Sequence, residues 1–260
     1  MPKKKVLIGV SASVAAIKLT DLIDCIREWC HHANIAREIE VKIVITRNSG
    51  FFLSREARSK LRESFLQSSA MLVDNYDDRG IPPSFFGQDS GVIKPPEDQT
   101  FWSSDRQMAT NFVLSGLYTD EDELAFWEER GSVLHIMLKS WADLFLIAPL
   151  DANTLAKIAN GMADNLLSCV ARAWPVGGKP FLIATAMNTD MFDHPLTKMQ
   201  LEIMTQTLQA QHIAPISKQL ACGEFGVGAM ANVNTIVEFL EKALEGPCPC
   251  DQTGTNRLQQ

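Results

Sequence analysis

Unbroken apolar runs alternate along this chain with stretches whose apolar positions recur every three or four residues. Residues 6–10 (VLIGV) are apolar throughout, the pattern of a strand buried on both faces. In residues 14–29, Val14, Ile17, Leu22, Ile26 and Trp29 fall at near-helical spacing. The alternation continues with a strand at 41–46, a charged helix at 52–67 and a strand at 144–150. A long helix is expected from about 153 to 174, with Leu155, Ile158, Met162, Leu166 and Val170 on one face, ended by Pro175 and the Gly177-Gly178 pair. A strand at 180–186, a helix at 196–209, a short strand at 212–216 and a closing helix at 236–244 complete the series. Strand and helix in alternation predict an α/β fold, a parallel sheet with helices on both faces.

The pattern fails between 70 and 115. That segment holds two Pro-Pro pairs, many Asp and Ser, and scattered aromatics. It reads as a mobile insertion in a single domain spanning 1–244, with 245–260 as a disordered tail. A chain of 260 residues, 46 % apolar, can bury one large core. The basic start followed by five apolar residues reads as a solvated end and a first strand. It is too short for a signal peptide, and no stretch approaches the ~18 apolar residues of a membrane span. A cytoplasmic protein is expected.

The net charge of −7 disfavours a nucleic-acid partner. It also means that a phosphorylated ligand must be met by local N–H groups and a few cations. The six cysteines form no CxxC pair and no Cys/His spacing that suits a metal. Cys25, Cys30 and Cys169 lie in amphipathic stretches and read as small core residues, and Cys248 and Cys250 sit in the polar tail.

Five places could carry chemistry. Small residues from Gly9 to Ala16, including Ala12, Ser13 and Val14, follow a strand and open a helix, where an α/β sheet binds phosphate through main-chain N–H groups. There is no GxGxxG pattern, so a mononucleotide fits better than a dinucleotide. Asp151, Ala152, Asn153 and Thr154 crowd the end of a second strand, more polar groups than one helix cap needs. Asn188 follows a third strand and suits the gripping of a carboxylate or amide. Cys222 lies in a loop with Gly223, Gly226 and Gly228, a candidate flap in which a thiol has little packing purpose. His135 stands among apolar residues, and spacing alone gives it no role.

Four motifs in order resemble the homo-oligomeric flavin-containing cysteine decarboxylases. They are Leu117-Tyr118-Thr119-Asp120-Glu121-Asp122-Glu123 with Val133-Leu134-His135-Ile136; Pro149-Leu150-Asp151-Ala152-Asn153-Thr154; Ala186-Met187-Asn188-Thr189-Asp190-Met191-Phe192; and Leu220-Ala221-Cys222-Gly223 with Gly226 and Gly228-Ala229-Met230. The resemblance covers 6–49 and 116–244. It implies a Rossmann-like (flavodoxin-like) fold and a homotrimer with shared active sites, in which His135 works opposite Asn188 and Cys222 of a neighbour. It implies FMN contacts at Ala12, Ser13, Val14, Thr46, Arg47, Asn48, Asp151, Ala152, Asn153, Thr154 and Ala186. Asn188, Gln219, Ala221 and Met230 are the implied substrate contacts, with His135 and Cys222 catalytic. Ala12 stands where the family has Gly, Phe192 where it has Trp, and Ser217-Lys218-Gln219 carries fewer cations than the family's run.

The implied reaction is decarboxylation of a phosphorylated pantothenoyl-cysteine on the way to coenzyme A. Losing CO₂ from a cysteine carboxylate needs an electron sink, which the family makes by oxidising the CH₂–SH carbon with flavin. His135 is the implied partner of the thiol-oxidising half, and Cys222 the proton donor of the returning half. A peptidyl-cysteine decarboxylase and a non-enzymatic phosphatase-regulatory relative are the alternatives; a flavin prenyltransferase fits His135, Asn188 and Cys222 less well.

Overall fold

The computed structural model describes residues 3–32, 38–69, 111–219 and 225–246. Most of the 70–115 segment, the tail from 247, Ala221 and Cys222 lie outside the described residues.

Six parallel strands form the main sheet: β1 Lys4–Val10, β2 Ile39–Ile45, β3 Phe112–Tyr118, β4 Leu144–Leu150, β5 Phe181–Thr185 and β6 Gln211–Ile213. Their order is β3-β2-β1-β4-β5-β6, so the chain winds outward in one direction and then restarts on the other side of β1. That is the doubly wound order, with its switch point between β1 and β4. Side chains alternate across the sheet. Val6, Ile8 and Val10 enter one core and Leu7 the other, while Leu144, Leu146 and Ala148 oppose Phe145 and Ile147 on β4. Both faces are dry, which is why these strands read as continuous apolar runs.

The first core is closed by α1 Leu19–His32, α2 Arg55–Ser69 and the last helix, Val233–Glu245. Leu19, Leu22, Ile23 and Ile26 of α1 are buried at helical spacing and pack with Ile236, Val237, Leu240 and Leu244. Burial of each such side chain contributes roughly 1.5–3 kcal/mol. The second core is covered by α3 Asp120–Arg130, α4 Leu134–Trp141, α5 Ala152–Ala159 and α6 Leu166–Ala173, and by Met204 and Leu201 beyond β5. Gly9 lets α6 come close to β1: a Cβ there would meet Leu167 Cδ1 at 2.4 Å.

Several elements differ from the sequence pattern for local reasons. The expected 153–174 helix is two helices, α5 and α6. Gly161 takes φ +75, and Asn165 starts α6 with its Oδ1 accepting from Ser168 N–H at 2.8 Å. Met162, assigned to the buried face, is 52 % exposed in the break. The 52–67 helix begins at Arg55, because Ser54 Oγ accepts from Ala57 N–H at 3.0 Å, and residues 47–52 form a 3-10 turn. Likewise the 14–29 helix opens with a 3-10 turn at Val14–Lys18 before α1. A short helix not expected from the pattern, α7 Thr189–Asp193, precedes the 196–209 helix, which is α8 Pro195–Glu202 followed by a π turn at Ile203–Thr207. The expected 212–216 strand ends at Ile213; after Pro215 the chain leaves the sheet and enters an antiparallel pair, β7 Ile216–Gln219 with β8 Phe225–Ala229. The helix at 236–244 extends to Val233–Glu245 and is α9. Strand β3 takes in positions 112–115 of the segment read as an insertion.

Candidate active site

The loops after β1 and β4 meet at the switch point, where Ser11 joins them. Ser11 is fully buried; its Oγ donates to Pro149 O at 2.9 Å and accepts from Asp151 N–H at 2.7 Å. Ser13 continues toward β5, donating from Oγ to Ala186 O at 3.1 Å and accepting from Ala15 N–H. Thus two serines, one of them not singled out by sequence, pull three strand ends together. Asp151 caps α5 through Thr154 N–H at 3.1 Å. Thr154 is buried beneath it, Ala152 is half-buried and Asn153 is exposed.

The segments after β1 and β5 and the β7–β8 hairpin line an open cavity of about 490 Å³, to which the end of β4 contributes no wall residue. Ser13, Val14, Ala186, Asn188 and Met230 are in its wall, as are Lys18 and Lys218. Asn188 Oδ1 accepts from Asp190 N–H at 2.8 Å, which fixes the amide at the rim of α7. The hairpin sits where it does because β8 lacks side chains at two points. A Cβ on Gly228, whose φ is +152, would lie 2.2 Å from Met187 O, and one on Gly226 would lie 2.2 Å from Thr189 Oγ1. Gly228 O accepts from Met187 N–H at 2.9 Å in the same contact. Two of the glycines that suggested a flap therefore serve close approach to the Asn188 loop. Gln219 ends β7 opposite Phe225, its backbone alone being described.

A smaller depression, about 180 Å³, opens after β2 and is lined by Thr46, Arg47, Phe51, Arg58, Thr119 and Glu121. Thr46 is buried, and its Oγ1 has no hydrogen-bond partner among the described residues. Arg47 and Asn48 are exposed, and Ala12 is half-buried in the loop after β1. Asp120 joins this edge to α6, accepting from Arg47 N–H at 3.4 Å and from Leu166 N–H at 3.0 Å.

His135 is not among the residues lining the large cavity. It occupies the first turn of α4, held by Glu123 from the first turns of α3: Nδ1 is 2.8 Å from Glu123 Oε1, and the His135 N–H donates to Oε2 at 3.2 Å. The far end of α4 is held by Lys179, whose ammonium donates to Lys139 O at 3.1 Å and Ser140 O at 3.3 Å. Burial lowers the Lys179 pKa. Ile136 and Met137, next to His135 on α4, are exposed apolar residues, as are Leu124 and Trp127 on α3. The cysteines read as core residues separate here, Cys30 being buried and Cys25 and Cys169 half-buried. Burial pushes the Cys30 thiol up to about 12 and raises the other two, so none of the three is poised as a thiolate.

Comparison with known proteins agrees with the fold. The Flavoprotein family model matches residues 1–245. A probable phosphopantothenoylcysteine decarboxylase of Arabidopsis thaliana is 35 % identical over 255 residues, 98 % of this chain and 95 % of its own length. This chain belongs to that flavoprotein family. The phosphopantothenoylcysteine decarboxylase of Mus musculus is 51 % identical over 129 residues, 49 % of this chain and 62 % of its own. Among solved structures, a cysteine-to-serine mutant of PPC decarboxylase complexed with pantothenoylaminoethenethiol superposes with TM-score 0.65 at 35 % identity, covering 94 % of this chain and all of that one. An FMN-binding protein superposes with TM-score 0.60 at 35 % identity, covering 92 % and 95 %. The Rossmann-like fold is that of these structures.

The residues present fit FMN. Small side chains after β1 and the loop ends stitched by Ser11 and Ser13 suit a phosphorylated mononucleotide at a switch point, and buried Thr46, in the depression after β2, has a hydroxyl with no partner among the described residues.

Proposed function

We propose that this chain is an FMN-dependent carboxy-lyase that converts 4′-phospho-N-pantothenoyl-L-cysteine to 4′-phosphopantetheine in coenzyme A biosynthesis. The observation that carries this reading is the cavity in which Ser13, Ala186, Asn188 and Met230 converge at the carboxyl edge of the sheet. Bound FMN would supply a two-electron acceptor and donor, which turns the sulfur-bearing carbon into an electron sink for CO₂ loss. Ala12, Ser13, Val14, Thr46, Arg47, Asn48, Asp151, Ala152, Asn153, Thr154 and Ala186 are the positions that would hold it.

The chain's own residues divide the remaining work. Asn188, its amide fixed by Asp190 N–H, meets the substrate carboxylate end. Lys18 and Lys218 bring positive charge to the cavity wall, a local answer to a phosphate in a chain of net charge −7. Gln219, Ala221 and Met230 complete the substrate contacts. Cys222 lies between β7 and β8, whose glycines seat the hairpin against Asn188; it delivers the proton to the decarboxylated product. His135 takes part in thiol oxidation from a neighbouring subunit. Its position outside the cavity wall and the exposed apolar Ile136 and Met137 next to it support a homotrimer with sites shared between chains. We place the protein in the cytoplasm; no helix among the described residues is long and apolar enough to cross a membrane.

The test is incubation of purified protein with phosphopantothenoylcysteine, followed by mass spectrometry. Yellow protein and loss of CO₂ are expected. A colourless protein that does not take up FMN, or intact substrate, would overturn the reading.

A further inference from the structure

We infer that Glu123 is a positioning residue that sets the tautomer and direction of the His135 ring. The carboxylate grips the histidine twice, once at the main-chain N–H (3.2 Å) and once at ring Nδ1 (2.8 Å). An ionised carboxylate only accepts hydrogen bonds, so the nitrogen facing it must carry a proton. In the neutral ring that leaves Nε2 unprotonated and pointing away from α3, with a lone pair available to a substrate. The two side chains are 24 % and 27 % exposed, sheltered enough to hold a fixed geometry yet open to a ligand or a neighbouring chain. The main-chain bond makes the arrangement more than an ordinary ion pair. It anchors the carboxylate to the start of α4, so its second oxygen meets Nδ1 in one orientation only.

The consequence rests on the decarboxylase reading. Nε2 accepts the proton of the substrate thiol, and the imidazolium so formed keeps its Nδ1–H against the Glu123 carboxylate. The proton comes from sulfur and resides on Nε2 until it is returned. A ring protonated at Nε2 instead would present a donor where an acceptor is required.

Glu123→Gln separates positioning from simple stapling of α3 to α4. The His135 main-chain N–H still needs an acceptor and selects the amide oxygen of Gln. The amide NH₂ then faces Nδ1 as a donor and drives the ring proton to Nε2. Shape and both contacts persist while the tautomer inverts. The experiment uses full-length, FMN-loaded, ¹⁵N-histidine-labelled protein at a pH where the ring is neutral, with His135→Asn identifying the signal. Nδ1–H is expected in the wild type and Nε2–H in Glu123→Gln. With phosphopantothenoylcysteine, kcat should fall by roughly 10²–10⁴-fold, the range of general acid–base contributions, with little change in KM or FMN affinity. Glu123→Asp should restore part of the rate. Nδ1–H persisting in Glu123→Gln, or an inverted tautomer with an unchanged rate, would overturn the inference. Should the wild-type protein leave this substrate intact, the decarboxylase reading fails by itself, while the ring spectra still judge the tautomer assignment.

Discussion

At the scale of single residues, the site separates into groups that bind, groups that move protons and glycines that bring backbones together. Cys222→Ser keeps the binding groups and removes the proposed acid. CO₂ release should continue while the organic product emerges two hydrogens short of phosphopantetheine, a difference that mass spectrometry reads; saturated product at the normal rate would remove Cys222 from the reaction. Gly228→Ala acts differently, since its Cβ would lie 2.2 Å from Met187 O. It should destabilise the hairpin contact by on the order of 1–3 kcal/mol and weaken substrate binding, read by thermal denaturation and KM. The sequence exposed these residues unequally. Cys222 stood out because a thiol in a glycine-rich loop lacks a packing purpose, and Asn188 because it follows a strand. His135 gained a role only through the family resemblance. Glu123 was quoted only as the end of an acidic motif and given no role: it is twelve residues away, in a run that reads as a solvated helix start favoured by the helix dipole. Lys18 escaped for a similar reason, as one of many lysines until the fold puts it in the cavity wall.

At the scale of elements, the alternation of strand and helix was legible because strands buried on both faces are written as uninterrupted apolar runs. Boundaries were less so. The 153–174 stretch keeps its apolar spacing across the Gly161 break, so periodicity alone reads one helix where a left-handed glycine and the Asn165 cap make two. Asn165→Ala should cost about 1 kcal/mol of stability, typical of a lost N-cap, as measured by denaturant unfolding. Strand β3 was hidden by the segment preceding it, and the β7–β8 hairpin by strands of only four and five residues, with glycine at both alternate positions of β8. The sheet edge carries a pH dependence of its own. On β6, His212 Nε2 lies 2.9 Å from the hydroxyl of fully buried Thr185, and desolvation lowers the His212 pKa below its ordinary 6.5. The unfolded chain therefore binds the proton more readily. The contribution is complete above about pH 6.5, and stability should fall as pH drops from there through the lower folded value. Stability curves across this range should lose that acid-side slope in His212→Asn; an unchanged slope would assign it to other groups.

At the scale of the whole molecule, one chain presents two partial surfaces. Ile136 and Met137, next to His135, and Trp127 on α3 are exposed, while Met191, Leu196 and Met199 are exposed beyond Asn188. Two different patches on one chain suit a head-to-tail contact, and such contacts close into a ring when the rotation permits. In the proposed trimer each site takes His135 from one subunit and Asn188 with Cys222 from the next. Complementation tests this directly. His135→Asn and Cys222→Ser chains, neither of which forms saturated phosphopantetheine when assembled alone, should regain that product after co-assembly, because a site between an intact histidine and an intact cysteine is whole. Either 2:1 ring contains one such site. Random mixing in equal amounts should then restore about a quarter of the wild-type rate, one competent site in each mixed ring and none in the pure ones. If each chain instead completed its own site, every subunit in the mixture would still lack one group and turnover would stay at the level of the parents. Native mass spectrometry of the mixture must show the 2:1 and 1:2 trimers, so that a failure to exchange subunits is not mistaken for sites confined to single chains.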